Sequence, residues 1–353
     1  MIDSRTGRFV SAFAIAACVL SITACHTPEA KVQPAPAAAY FDTTGRDDAL
    51  AGGIKMIEIT TPKGPFKVWT KRTGNNPKIK VLMLHGGPGL THEAFEAFNS
   101  YFPAAGIEYY FYDQLGSFYS DQPDEPELWT IPRFVDEVEQ VRRALKLDKE
   151  NFYLFGHSWG GMLAIEYALQ HQEHLAGLII SNMNSSISVY NRYATDVLMP
   201  TMNQQALAEI LRFEEKGETN NPRYMELLMR EHYSKYLLRM PPEQWPDPVV
   251  RPLKHMNPKI YVPLGGPSEL MVTGSIKHWD RTADLGKITV PTLTIGARYD
   301  TMDPKNMEWM AKAVKNGRFL YCANGSHLSM YDDQQTYMTG LIDFLLGASA
   351  RPR

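Results

Sequence analysis

From Ile54 onward the chain alternates short β-branched or aromatic runs with stretches of helical periodicity. Residues 54–59 and 66–71 predict a hairpin at the edge of a sheet. Val81-Leu82-Met83-Leu84 is apolar at every position, as in a strand buried on both faces, and it runs into Gly86-Gly87-Pro88-Gly89. Residues 107–112 predict another strand, ending at Asp113. Phe134, Val135, Val138, Val141 and Leu145 recur at helical spacing and lead into a strand over 152–155. A helix over about 161–171 and a strand over 175–180 follow. This βαβα rhythm predicts an α/β protein with a mostly parallel, doubly wound sheet.

The rhythm breaks over 184–285. That stretch holds helical segments at 204–216 and 223–238, then a run containing Pro241, Pro242, Pro246, Pro248 and Pro252, with no convincing buried strand. A strand pattern resumes at Pro291-Thr292-Leu293-Thr294-Ile295-Gly296. The economical reading is a core of residues 46–183 and 286–348 interrupted by a helical cap, 184–285. A separate domain in series explains the resumed pattern less well.

The first residues form a different unit. Arg5 and Arg8 precede an apolar stretch, 9–22, that is short for a bilayer span. Ile22-Thr23-Ala24-Cys25 is similar to a bacterial lipobox, in which the cysteine becomes the acylated N-terminus. Residues 1–25 are therefore expected to be a lipoprotein signal peptide, with Cys25 the lipid attachment point; an ordinary secretory signal is the alternative. Residues 26–45 are Pro/Ala-rich without periodicity and read as a tether. The expected location is an exported protein, lipid-anchored to a bacterial membrane, with His26 after the cysteine leaning towards the outer membrane.

Composition narrows the chemistry. The 353 residues carry a formal charge of -3, with 44% hydrophobic and 21% charged residues, which gives no basic footprint for nucleic acid. Of three cysteines, Cys18 leaves with the signal and Cys25 is lipidated, so Cys322 has no disulfide partner. Histidine and cysteine spacing predicts no metal site, and no cofactor is expected.

Gly156-His157-Ser158-Trp159-Gly160 follows a buried apolar strand and opens a helix, the strand–turn–helix setting of a nucleophile elbow. A serine hydroxyl needs a base, itself oriented by an acid. On this fold they follow in the order acid, then histidine. Asp300 stands directly after the strand ending near Gly296, and His327 follows the run Phe319-Leu320-Tyr321. His327 is the base candidate among ten histidines, and Asp300 is preferred to Asp303 because it immediately follows the strand. His85-Gly86-Gly87-Pro88-Gly89 offers unobstructed backbone N–H groups, so Gly87 and Trp159 are the expected oxyanion donors. A phosphate-binding loop fits poorly, because Pro88 lacks an N–H and no Lys-Ser/Thr follows.

His85–Gly89, Asp113-Gln114-Leu115-Gly116-Ser117 and Gly156–Gly161 together resemble the proline iminopeptidase family of α/β-hydrolases. Gly265-Gly266-Pro267-Ser268-Glu269-Leu270 and Thr273-Gly274-Ser275-Ile276-Lys277-His278-Trp279-Asp280 extend the resemblance to about residues 50–347. It implies the α/β-hydrolase fold and release of an N-terminal residue, often proline, from a peptide or related amide or ester. It also implies that Glu269 binds the substrate amine. Family members commonly carry a glutamate after the triad aspartate, where this chain has Thr301. Gly86, Asp113 and Gln114 are expected to shape the site beneath the oxyanion loop. Phe118, Tyr119 and Trp159 are candidates for an apolar pocket or for ordinary packing. The expected partners are a peptide or a small amide or ester, and a membrane only through lipid. Two alternatives stay open: a carboxylesterase, lactonase or amidase, motivated by Thr301, and a non-catalytic binding lipoprotein.

Overall fold

A computed structural model describes residues 37–349. The expected signal segment, Cys25 and the first part of the tether lie outside the described residues. Tyr40, placed at sequence level in the 26–45 tether, is already docked: it is buried and its hydroxyl donates to the Ile107 carbonyl (2.7 Å). An aromatic ring with a buried acceptor ends the tether earlier than composition suggests.

Eight strands form one sheet: β1 (Ile54–Thr61), β2 (Gly64–Thr73), β3 (Lys80–Leu84), β4 (Glu108–Asp113), β5 (Phe152–His157), β6 (Gly177–Ser181), β7 (Thr292–Tyr299) and β8 (Gly317–Ser326). Their spatial order is β1-β2-β4-β3-β5-β6-β7-β8. The β1–β2 hairpin is antiparallel and β2 pairs antiparallel with β4, while every pairing from β4 to β8 is parallel.

Helix α1 (Ile131–Ala144) precedes β5, and α2 (Trp159–His171) follows it. The latter starts two residues before the expected Gly161, because the chain turns at the single residue Ser158. Between β6 and β7 run α3 (Ile187–Tyr193), α4 (Gln204–Glu215), α5 (Pro222–Leu228), α6 (Asp247–His255) and α7 (Pro258–Leu264). The Pro-rich run is thus partly helical: prolines at the first helical positions of α6 and α7 forgo an N–H that the first turn could not bond anyway. The single helix expected over 223–238 divides into α5 and a π-helical segment, Met229–Leu237. Its last carbonyls, free at a helix end, accept from the His327 and Leu328 amides, through Tyr236 and Leu237 (both 2.9 Å). After β7 come α8 (Pro304–Ala313) and α9 (Gln334–Ser349).

Alternate residues of β3 point to opposite layers. Leu82 and Leu84 pack with α1, α2 and α8 through Val138, Leu163 and Met307. Val81 and Met83 pack with the segment His92–Ser100 and with α9 through Phe95, Phe98 and Leu341. Burial on both faces explains the unbroken apolar runs of β3 and β5. Among the described residues, no helix is long and apolar enough to cross a membrane.

Candidate active site

Four loops leave the C-terminal edge of the parallel strands: His85–Gly89 after β3, Ser158 after β5, Asp300 after β7 and His327 after β8. In open α/β sheets this edge carries the ligand crevice.

Ser158 sits at φ 55°, ψ −124°, a backbone conformation costly for a residue with a Cβ. Tight packing enforces it. A Cβ on Gly156 would lie 2.0 Å from the Gly160 carbonyl oxygen, and one on Gly160 would lie 2.1 Å from that of Leu84. Both motif glycines are thus required by close backbone approach between β5, α2 and β3. The Ser158 amide donates to the Ser181 carbonyl (2.9 Å), and its carbonyl accepts from Gly161 (2.7 Å).

The facing loop comes close to the serine. A Cβ on Gly86 would stand 3.4 Å from Ser158 Cβ, and Gly87 has φ +117°. His85 fixes this loop: its Nε2 accepts from the Gln114 amide (3.2 Å), so its Nδ1–H donates to the Gly86 carbonyl (2.8 Å). Burial pushes the His85 pKa down, in keeping with that neutral tautomer. The Gln114 side chain closes the arrangement, its oxygen accepting from the Trp159 indole (2.9 Å). Asp113 acts at one remove, accepting from the His92 amide and ring Nδ1 (both 2.8 Å) and so holding the start of His92–Ser100.

The His327 ring is buried and its Nδ1 lies 2.8 Å from Asp300 Oδ1. Burial is the largest influence on its pKa and lowers it. The charge and hydrogen bond of Asp300, with the charge of Glu269, outweigh that and hold it above the ordinary value. Asp300, wholly buried, also accepts from the Met302 amide (3.1 Å) and from the Asn182 side-chain amide (2.6 Å). Asp303 instead caps α8, accepting from the Lys305 amide (2.9 Å). The neighbouring His157 lies 4.8 Å from the His327 ring, and burial, then His327, keeps its pKa well below normal.

Glu269 enters from the cap. Its Oε1 accepts from the Tyr261 hydroxyl (2.5 Å), its amide donates to the Tyr233 hydroxyl (3.2 Å), and its carbonyl accepts from Tyr190 and His232. Glu269 lines two cavities that meet at Ser158. One, about 30 Å³, includes Gly87, Trp159, Tyr190 and Tyr261. The other, about 360 Å³, includes Gly86, Gly87, His157 and His327. Thr301 is buried with its hydroxyl 3.2 Å from His327 Nδ1.

Thus Ser158, Gly86, Gly87, Trp159, Glu269 and His327 are gathered around two joined cavities, with Asp300 behind the histidine. Phe118 and Tyr119 line neither cavity. Phe118 stacks on His255 of α6 (3.9 Å), and the Tyr119 hydroxyl donates to the buried Glu93, which also accepts from Arg251 of α6. They belong to the junction between α6 and the core. Sequence reasoning missed Asn182, Tyr190, Tyr261 and His232. Asn182 left one signal, a polar residue just past a buried strand at the active edge. Folding also brings Glu139, His171 and His174 within 4.8 Å of one another, a grouping that spacing did not reveal. Arg142 and Arg143 already occupy the Glu139 oxygens (2.7–2.8 Å), an unfavourable setting for a cation.

This sheet order, elbow and strand-end constellation define an α/β hydrolase, and the alpha/beta hydrolase fold family matches residues 80–334. The chain is 55% identical over 290 residues to the proline iminopeptidase of Flavobacterium johnsoniae, covering 82% of this chain and 97% of that one. It is 34% identical over 284 residues to that of Saccharolobus solfataricus, covering 79% and 88%. The chain belongs to the proline iminopeptidase family. Among solved structures, VinJ superposes with a TM-score of 0.77 at 27% identity, covering 83% of this chain and 99% of VinJ. The proline iminopeptidase of Mycobacterium smegmatis shares the fold, with a TM-score of 0.73 at 24% identity, covering 84% and 98%.

Proposed function

We propose that this hydrolase is a lipid-anchored prolyl aminopeptidase acting through Ser158, His327 and Asp300. The observation that carries the reading is a carboxylate, Glu269, lining the same small cavity as Ser158, Gly87 and Trp159. In this reading His327 Nε2 takes the Ser158 proton as Oγ attacks the carbonyl, and the Gly87 and Trp159 amides hold the oxyanion. The C–N bond then breaks, and His327 returns the proton to the leaving nitrogen, which leaves a prolyl ester on Ser158. Water, deprotonated by His327, cleaves that ester; proline departs and Ser158 recovers its proton.

Glu269 supplies the exopeptidase character. Tyr261 occupies Oε1 and leaves Oε2 for the substrate ammonium through a charge-assisted hydrogen bond. Turnover of proline 4-nitroanilide, with the N-acetylated compound inert, is the expected outcome. Equal rates on both, or a preference of orders of magnitude for esters, would replace this reading with the esterase one, which the lack of a carboxylate at Thr301 motivates. In the same assay Glu269→Gln should lower kcat/KM for the free-amine substrate about 10- to 100-fold. An equal loss on an ester without an amine would make Glu269 structural.

The anchor reading rests on Ile22-Thr23-Ala24-Cys25 after the apolar stretch. Acyl chains contributing about 0.8 kcal/mol per buried CH₂ would hold the chain at a membrane surface. Cys25→Ser is expected to move the protein from the membrane to the soluble fraction on centrifugation. Unchanged partitioning would exclude Cys25 as the attachment point.

A further inference from the structure

The two cavities at Ser158 share Gly87, Tyr261 and Glu269 but differ in one chemical respect. His327 and Leu328 line only the larger, and Trp159 lines only the smaller. In acyl transfer the histidine that activates the serine later protonates the leaving atom, so the leaving group must lie on the histidine side. The acyl residue then lies on the Trp159 side, with its ammonium at Glu269.

The wall of the larger cavity is built by the cap. Met225 of α5, Met229 of the π-helical segment, and Val249, Val250 and Leu253 of α6 line it. Besides the histidines at the catalytic end, the acidic and basic side chains that line it are Glu269 there and Lys254, which is exposed. At about 360 Å³ it is large enough for a ligand group well beyond a single methyl or hydroxymethyl side chain. Met225 and Leu253 are 46% and 39% exposed, which marks a mouth between α5 and α6. Three methionines in the wall, Met225, Met229 and Met256, let it conform to more than one apolar shape.

We propose that this cavity receives the residue released after the N-terminal one, and that the enzyme selects peptides whose second residue is large and apolar. The proposal rests on the aminopeptidase reading above. A leucyl or phenylalanyl side chain replaces water against the α5 and α6 wall, whereas an aspartate there loses its hydration against apolar side chains, the lysine of the lining, Lys254, being exposed. The rest of the peptide leaves through the mouth between Met225 and Leu253.

The test is kcat/KM on free-amine Pro-X-amides with X as Gly, Ala, Leu, Phe and Asp, each beside its N-acetylated form and a simple ester. From Gly to Phe a rise of about 10- to 100-fold is expected, with Asp the poorest. Val250→Trp, which fills the cavity, should pull the Phe-to-Gly ratio down towards unity. Leu253→Asp at the exposed mouth should lower the same ratio and serves if the tryptophan variant does not fold. A flat series, a preference for Gly or Asp, or a ratio unmoved by either variant overturns the proposal. Cleavage of free-amine peptides with a flat series sinks this proposal alone. Ester turnover with every free-amine peptide inert sinks the aminopeptidase reading as well.

Discussion

Ser158→Ala is expected to cut kcat by about a million-fold while the protein keeps its fold and unfolding temperature, the scale lost when the serine of such a triad is removed. The loss is large because the other serine and threonine hydroxyls that line the cavities, those of Thr91 and Ser268, donate to Glu93 and Glu214 and cannot take over the attack. Retention of the fold follows from how the turn is held. The Ser158 amide bonds to the Ser181 carbonyl, and its carbonyl accepts from Gly161 and Met162. All three contacts are backbone, and alanine keeps them. The strain at φ 55° belongs to any residue with a Cβ, so alanine neither relieves nor worsens it. Turnover of proline 4-nitroanilide together with thermal unfolding followed by circular dichroism measures both halves. Activity near that of the parent would remove Ser158 from the reaction.

What could be read in the sequence shares one property: it is local. The β5 run, the glycines at 156 and 160, and the hydroxyl between them sit within a few residues, so the elbow follows from steric demands there. Asp300 could be separated from Asp303 because a strand end lies next to one and four residues from the other; the structure makes Asp303 a helix cap. What could not be read spans long separations. Asn182 meets Asp300 across 118 positions, and Tyr190 reaches the Glu269 carbonyl across 79. No periodicity encodes such pairs: the first arises when β7, after the inserted cap, pairs with β6, and the second when two distant segments of the cap meet. Phe118 and Tyr119 show the converse. They follow Gln114 closely in sequence, yet turn towards α6, where His255 and the Glu93–Arg251 pair await them. The helical period of 223–238 likewise marked a helix but not its passage to π geometry at Met229, which a single residue of register decides.

Asp300→Asn should reduce kcat by about 10⁴-fold, as expected when the histidine of a triad is held in the wrong tautomer. The surroundings of Asp300 dictate which way the new amide turns. The Asn182 side-chain amide donates to Oδ2 at 2.6 Å, so the oxygen of the introduced asparagine must face it. Its NH₂ then faces His327 Nδ1, which has to become an acceptor. The ring proton moves to Nε2, the atom required to take the proton of Ser158. The same NH₂ also confronts the Met302 N–H, a donor that previously bonded Oδ1 at 3.1 Å. Some loss of stability therefore accompanies the loss of rate, and a second readout is needed to separate them. The Asp300 charge helps to hold the His327 pKa above its ordinary value against burial, which lowers it. Catalysis needs the neutral ring, so the parent enzyme should lose kcat/KM as pH falls through that raised pKa. Without the negative charge the pKa drops, and the residual activity of Asp300→Asn should persist to lower pH than that of the parent. A pH–rate profile that falls in amplitude with its acid limb unmoved would show that Asp300 does not set the charge state of His327, and the triad assignment would fail there.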